Sequence, residues 1–297
     1  KTYFDLKTFW SYYFTFMLKK KITIIFILAL LYQSPLLSKS TSFSEFDSKN
    51  LSKYFSGIIA FENKNNSKAL EFFKSSKILL NRHGPYTEKL VLSLVLEDKV
   101  AQAVNFIKTN AKKNNLDFFE AYILLVIDSL KKNKIDNAIE ILSEVPKELQ
   151  KDEFNFIIVN SMIRYVDVFK NKKISKEKKN FGNLSSISET FQQCYLNSKN
   201  TDSFFSRLIN NTQADYSRYI FFYLTYLIEK NRIEDAKEIT DQLDYINTTL
   251  LLSQGKSWIE SDQYSEFSKV FSCNNHNDIA GEFLFLISNL FSSQNEY

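Results

Sequence analysis

Lys131–Ile141 reads KKNKIDNAIEI, and 98 residues further on Glu229–Ile239 reads EKNRIEDAKEI. Asn, Ile, Ala, Glu and Ile coincide, while Lys/Arg, Asp/Glu and Asn/Asp replace one another in kind. That offset is close to three units of 33. Two further copies lie upstream, because Ala69, Ala103 and Ala138 stand 34 and 35 residues apart. Each follows a short polar turn, at Asn63–Ser67, Glu97–Lys99 and Lys131–Lys134. Each also has apolar companions on one helical face: Leu70 and Phe73, Val104 and Ile107, Ile139 and Leu142. Ahead of the turns run second amphipathic segments, Leu51–Phe61, Tyr86–Leu96, Phe118–Leu130 and Tyr219–Ile228. The unit is therefore helix, short turn, helix, with an Ala where the two helices press together.

This spacing resembles the tetratricopeptide family. In that family a small residue of the first helix precedes the second-helix Ala by 12 positions, and a large apolar residue follows the Ala by four. Gly57, Ala69 and Phe73 fit all three places; Gly255, Phe267 and Phe271 fit the spacing with Phe where Ala is expected. The resemblance covers residues 50–145 and 215–291. It implies an all-α fold, an α-solenoid of antiparallel helix pairs wound into a superhelix. The expected layout is repeats over 41–145, degenerate helical repeats over 146–214 with a Lys-rich loop at 170–180, and repeats again over 215–297. Within the degenerate region Glu153–Phe169 reads as one helix, and Leu184–Tyr195 with Thr201–Asn210 as a pair. The segment Glu282–Phe291 reads as a helix with no partner, as in a truncated array, since a solenoid needs a capped last repeat.

Composition agrees with helices. Gly 5 and Pro 3 in 297 residues are too few for the many tight turns of a β-rich fold. The formal charge of +4 sits at the front: Lys1, Lys7, Lys19, Lys20, Lys21 and Lys39 oppose Asp5, which leaves about −1 for the rest. A near-neutral body argues against nucleic acid as a partner. The run KNKKISKEKKN at 170–180 reads as a solvated loop between repeats.

Residues 17–40 have the order of a secretory signal peptide: Met-Leu-Lys-Lys-Lys, the apolar Ile22–Tyr32, then small residues at Ser38 and Ser40. The apolar run is shorter than the roughly 20 residues a membrane-spanning helix needs. Residues 1–16 read as an upstream leader and not as a domain. The expected location is the periplasm or cell envelope, with cleavage near Thr41 or, as the alternative, the apolar run kept as an anchor or buried first helix, and no other membrane contact.

No catalytic, cofactor or metal signature emerges. His83 and His276 lie in polar turns without clustered ligands. QGKS at 254–257 lacks the earlier Gly of a phosphate-binding loop, Leu250 standing in its place. The acid pairs Glu97–Asp98 and Glu234–Asp235 fall where helix starts favour negative charge. Cys194 and Cys273 are expected to be two free, buried thiols, because repeats contact mainly their neighbours and 79 residues span more than two units.

The resemblance implies a non-enzymatic scaffold that holds a protein or extended peptide along the first helices of its pairs. The groove positions so nominated are Tyr54, Ile58, Phe61, Glu62, Glu88, Leu92, Glu120, Ile123, Arg218, Phe221, Thr225 and Lys256. They are apolar and aromatic with scattered acids, which suits an apolar segment better than a terminal carboxylate. Tyr54, Phe61 and Phe221 are expected to be partly accessible anchors. The alternative is the substrate-positioning arm of a larger envelope enzyme.

Overall fold

Among the residues the structure describes, six helices end in the same way. The computed structural model describes residues 48–80, 83–111, 118–174, 179–210, 217–243 and 249–294; the leader and signal readings at 1–16 and 17–40, and part of the Lys-rich run, lie outside them. Lys64, Asp98, Asn133, Asn197, Asn231 and Asp262 each adopt a left-handed backbone, with φ between 49° and 59°. Each stands two positions past a helix. Its N–H donates to the carbonyl three residues back, and the next N–H to the carbonyl five back, as in Asn133 to Leu130 and Lys134 to Ser129. This is the Schellman arrangement, which satisfies carbonyls a helix end would leave bare. Glycine is the usual occupant of that place; this glycine-poor chain uses Asn, Asp and Lys.

The turns join six helix pairs. The first is α1 (Ser48–Glu62) and α2 (Asn66–Ser75), and next come α3 (Gly84–Leu96) with α4 (Val100–Ala111) and α5 (Phe119–Lys131) with α6 (Ile135–Glu144). Later pairs are α8 (Asn183–Tyr195) with α9 (Thr201–Ile209), α10 (Ser217–Glu229) with α11 (Ile233–Asp241), and α12 (Leu250–Glu260) with the short α13 (Phe267–Val270). Two helices of 19 residues stand outside the pairing: α7 (Glu153–Asn171) and α14 (His276–Gln294). Among the described residues there is no strand, so the fold is all-α. None of these helices is long and apolar enough to cross a membrane.

Ala69, Ala103, Ala138 and Ala236 are all fully buried, as the repeat spacing predicts. Each lies five residues past the left-handed turn residue, where a larger side chain would push the paired helices apart. In the other two pairs that place holds Asp202 and Phe267.

The chain divides into two compact units, the first ending at Leu79 and the second beginning at Leu80. In the first, the Phe73 ring fills the notch left by Gly57: a Cβ there would lie 2.7 Å from the ring. Asn65 caps α2 by accepting from the Lys68 N–H, and Leu79 closes the far end.

In the second unit each helix from α3 to α12 packs on the next, and α10 also packs on α12 and α13. The last helix breaks this order of near neighbours. α14 lies against α5, α7 and α8. Tyr165 of α7 meets Phe283 of α14 at 5.4 Å between ring centres, Phe154 meets Phe291 at 5.7 Å, and His276 Nε2 donates to the Leu130 carbonyl at 3.0 Å. The expectation that Glu282–Phe291 lacks a partner helix is thus corrected: α7 is its partner, from more than a hundred residues upstream.

The same return corrects the reading of the cysteines. Cys194, at the end of α8, is bonded to Cys273, just ahead of α14, with Cα atoms 5.5 Å apart and both side chains buried. Separation along the chain misleads here because α14 turns back across α5, α7 and α8. Closing a loop of 79 residues removes chain entropy from the unfolded state, about 4 kcal/mol of stabilisation.

Candidate functional site: an apolar groove beside the last helix

Where α14 crosses the second unit it leaves a cavity of about 320 Å³ bounded by α3, α5, α7 and itself. Phe119, Ile158 and Ile287 are buried at its floor. Leu92 and Val95 of α3, Ile123 and Leu124 of α5, Phe154 of α7 and Leu284 of α14 form half-buried walls. Phe291, more than half exposed, stands at the rim with Glu120. Glu120 is the single ionisable group in this lining. The other polar member, Asn155, is turned to the backbone, donating to the Leu149 carbonyl at 3.0 Å.

The apolar walls follow from helical spacing. On α5 the residues Phe119, Ile123 and Leu124 recur at i, i+4 and i+5, and on α14 Leu284, Ile287 and Phe291 at i, i+3 and i+7. Each helix also has a second apolar face turned to the core, through Ala121, Leu125 and Val126 on α5 and through Ile279 and Phe283 on α14. Helices apolar on two faces serve both interior and groove.

α14 is held in place by charge as well as by rings. The Arg218 guanidinium on α10 donates to Glu282 through Nε at 2.9 Å and Nη2 at 2.7 Å, a bidentate fork. The carboxylate is almost wholly buried, and that burial lifts its pKa above the ordinary range while Arg218 opposes the shift. Arg218 also lies 4.2 Å from the centre of the Phe285 ring. Burial likewise raises Asp278, which accepts from the Ser272 N–H, and Glu229, which accepts from the Asn274 amide.

The nominated groove positions separate into three sets. Leu92, Glu120 and Ile123 are brought together and line this cavity, with Glu88 one turn away on α3. On α1, Ile58 and Phe61 are half-buried and Glu62 is exposed. The remaining assignments are corrected. Tyr54 is buried against Phe73, at 5.9 Å between ring centres. Phe221 is fully buried because Gly255 vacates the space its ring enters, and it stacks on Phe267 at 5.2 Å. Thr225 is buried with its hydroxyl donated to the Phe221 carbonyl at 2.9 Å. Lys256 runs inward and donates to the Thr240 carbonyl at 3.0 Å. Arg218 faces α14 through Glu282.

Sequence reasoning missed Phe119, Phe154, Ile158, Leu284, Ile287 and Phe291. The only signal available was apolar residues in excess of what one helix face needs. Compared with known proteins, the chain matches no family model, no curated protein and no solved structure.

Proposed function

We propose that this protein is a non-catalytic, tetratricopeptide-like scaffold that binds an apolar segment of a partner protein in the groove between α3, α5, α7 and α14. The observation that carries the reading is the groove itself: a wall of Leu, Ile, Val and Phe side chains with one carboxylate, Glu120, at its rim. Such a lining suits an amphipathic helix or extended peptide with a basic residue placed to meet Glu120. The six identical turns support a helical-repeat array as the frame. Export to an oxidising compartment is part of the proposal, supported by the signal-like order of residues 17–40 and by the Cys194–Cys273 bond.

The test is a photo-crosslinking residue at Ile123 of the full chain, expressed in cells. A partner protein should be captured there, and Glu120→Lys should abolish the capture while leaving the helical content intact. Crosslinks confined to α14 of the same chain would sink the proposal.

A further inference from the structure

A second cavity, of about 570 Å³, lies between α7, the segment 179–182, α8 and α9, and its lining is polar. Three cations line it: Arg164, Lys179 and Arg207. They meet one carboxylate, Glu189, so the lining residues carry an excess of two positive charges, with the Lys179 ammonium drawn to Asn160 at 3.3 Å and over the Phe156 ring at 4.4 Å.

Arg164 is the informative residue. It belongs to α7 and is 5 % exposed, yet its guanidinium is only partly engaged. One Nη donates to the Lys179 carbonyl at 3.0 Å; Nε has no partner. The other Nη stands 3.9 Å from Glu189, beyond hydrogen-bond reach. Arg207 faces the second oxygen of the same carboxylate, also at 3.9 Å. Two guanidinium groups are thus held apart around one acid, and their donors are not exhausted by it.

The wall between them is the first turn of α8, at Ser185 and Ser186. This helix of 13 residues begins at Asn183, just after Gly182, whose φ of 61° suits glycine and whose N–H donates to Asn180 Oδ1 at 2.9 Å. The N–H groups of Ser185 and Ser186 both donate to the Gly182 carbonyl, at 3.0 and 3.3 Å, so what this wall offers is the positive end of the helix dipole. Helix start and guanidinium groups together make the arrangement that recognises a tetrahedral oxyanion.

We infer that this cavity is a binding site for a phosphate group, held by Arg164 and Arg207 at the positive end of α8 with Lys179 at its edge. A dianion matches the double charge excess, which a single carboxylate would leave half-compensated. The site is separate from the apolar groove and does not depend on the function proposed for it.

Titration calorimetry of the full chain with inorganic phosphate tests the assignment, alongside vesicles of phosphatidylcholine with and without phosphatidic acid. Saturable phosphate binding is expected. Arg207→Gln, at an exposed position that leaves the core untouched, should weaken it about tenfold, the loss of one charge-assisted hydrogen bond. Glu189→Gln should tighten it several-fold by removing the competing acid. Arg164→Lys, which keeps the charge and loses the fork, should weaken it at least as much as Arg207→Gln. Phosphate that displaces the protein from phosphatidic-acid vesicles would assign the group to a lipid head; phosphate binding with no vesicle binding would assign it to a soluble phosphate. The inference is overturned if the folded protein takes up no phosphate, or if Arg207→Gln and Glu189→Gln both leave the affinity unchanged.

Discussion

Gly57 and Gly255 hold the same place in two helix pairs, each 12 residues ahead of a fully buried second-helix residue and 16 ahead of a Phe. In both, a side chain would collide with an aromatic ring, but the ring comes from different places. At Gly57 it is Phe73, from the second helix of the same pair, 2.7 Å from an added Cβ. At Gly255 it is Phe221, from the first helix of the preceding pair, 2.8 Å away. The first notch is filled locally, beside Ala69. The second is filled from outside the pair: Phe267 occupies the Ala place, and its ring stacks on Phe221. One spacing therefore specifies a notch, and the neighbouring helices specify its tenant.

The largest expected effects come from removing the tenants. Phe73→Ala and Phe221→Ala should each cost about 3–5 kcal/mol, the usual penalty for emptying a buried ring site. They should differ in reach. Native-state hydrogen exchange should show Phe73→Ala loosening α1 and α2, whereas Phe221→Ala should loosen α10, α12 and α13 together. Equal, local loosening in both variants would break the comparison.

Filling the notches should cost less. Gly57→Ala and Gly255→Ala each overpack a ring by about 1–3 kcal/mol, offset by roughly 0.5–1 kcal/mol of helix preference for Ala. Gly255→Ala should be the worse of the two, since Phe221 is held by Phe267 on one side and by Trp258 at 6.2 Å on another. Thermal melting of the double variant Gly255→Ala/Phe221→Leu should recover part of the loss if the ring is the obstacle.

The pairs also differ in their response to pH. Burial raises Asp278 and Glu229 above their ordinary 3.8 and 4.5, so their contribution to stability is complete below those values and is lost as pH rises through the shifted ones. Asp128, at the end of α5, behaves oppositely. Burial pushes its pKa up, but the ammonium groups of Lys108 and Lys132, at 2.6 and 2.7 Å, outweigh that and hold it below 3.8. Its contribution is present above that value and is lost as pH falls. Acidification through the carboxylate range should therefore loosen the α4–α5 contact while the start of α14 around Asp278 holds, read by exchange at the two helices. Movement of both in the same direction would contradict these assignments.

The smallest effect concerns the turns. Lys64 holds the left-handed place in the first pair and Asp262 in the last. A non-glycine residue there costs roughly 1–2 kcal/mol, of which glycine returns part through its greater unfolded freedom. Lys64→Gly should stabilise by about 0.5 kcal/mol in chemical denaturation. Asp262→Gly should gain less, because Asp tolerates this backbone and its carboxylate accepts the Tyr264 hydroxyl at 2.5 Å.

Helix, turn and crossing were legible in the residues because each is a local matter. A polar turn followed five residues on by a buried Ala requires only spacing, and the four alanines were found that way. The groove was legible in part: Leu92, Glu120 and Ile123 sit on first helices at regular spacing and do line it. Phe221, Thr225 and Lys256 share that spacing and are interior, since whether a helix face meets solvent depends on what lies across it.

By itself, then, the amino-acid order determined the all-α class, the six helix pairs and the buried crossings, through periodicities that act over about 35 residues. Only the tertiary structure decided that α14 returns to α5, α7 and α8, that Cys194 meets Cys273, and that an apolar groove is left between them. The physical reason is that a helix apolar on two faces has more than one way to cover them. Which partner it takes depends on rings and charges far away in the chain, such as Tyr165 for Phe283 and Arg218 for Glu282, and no local spacing encodes those pairings.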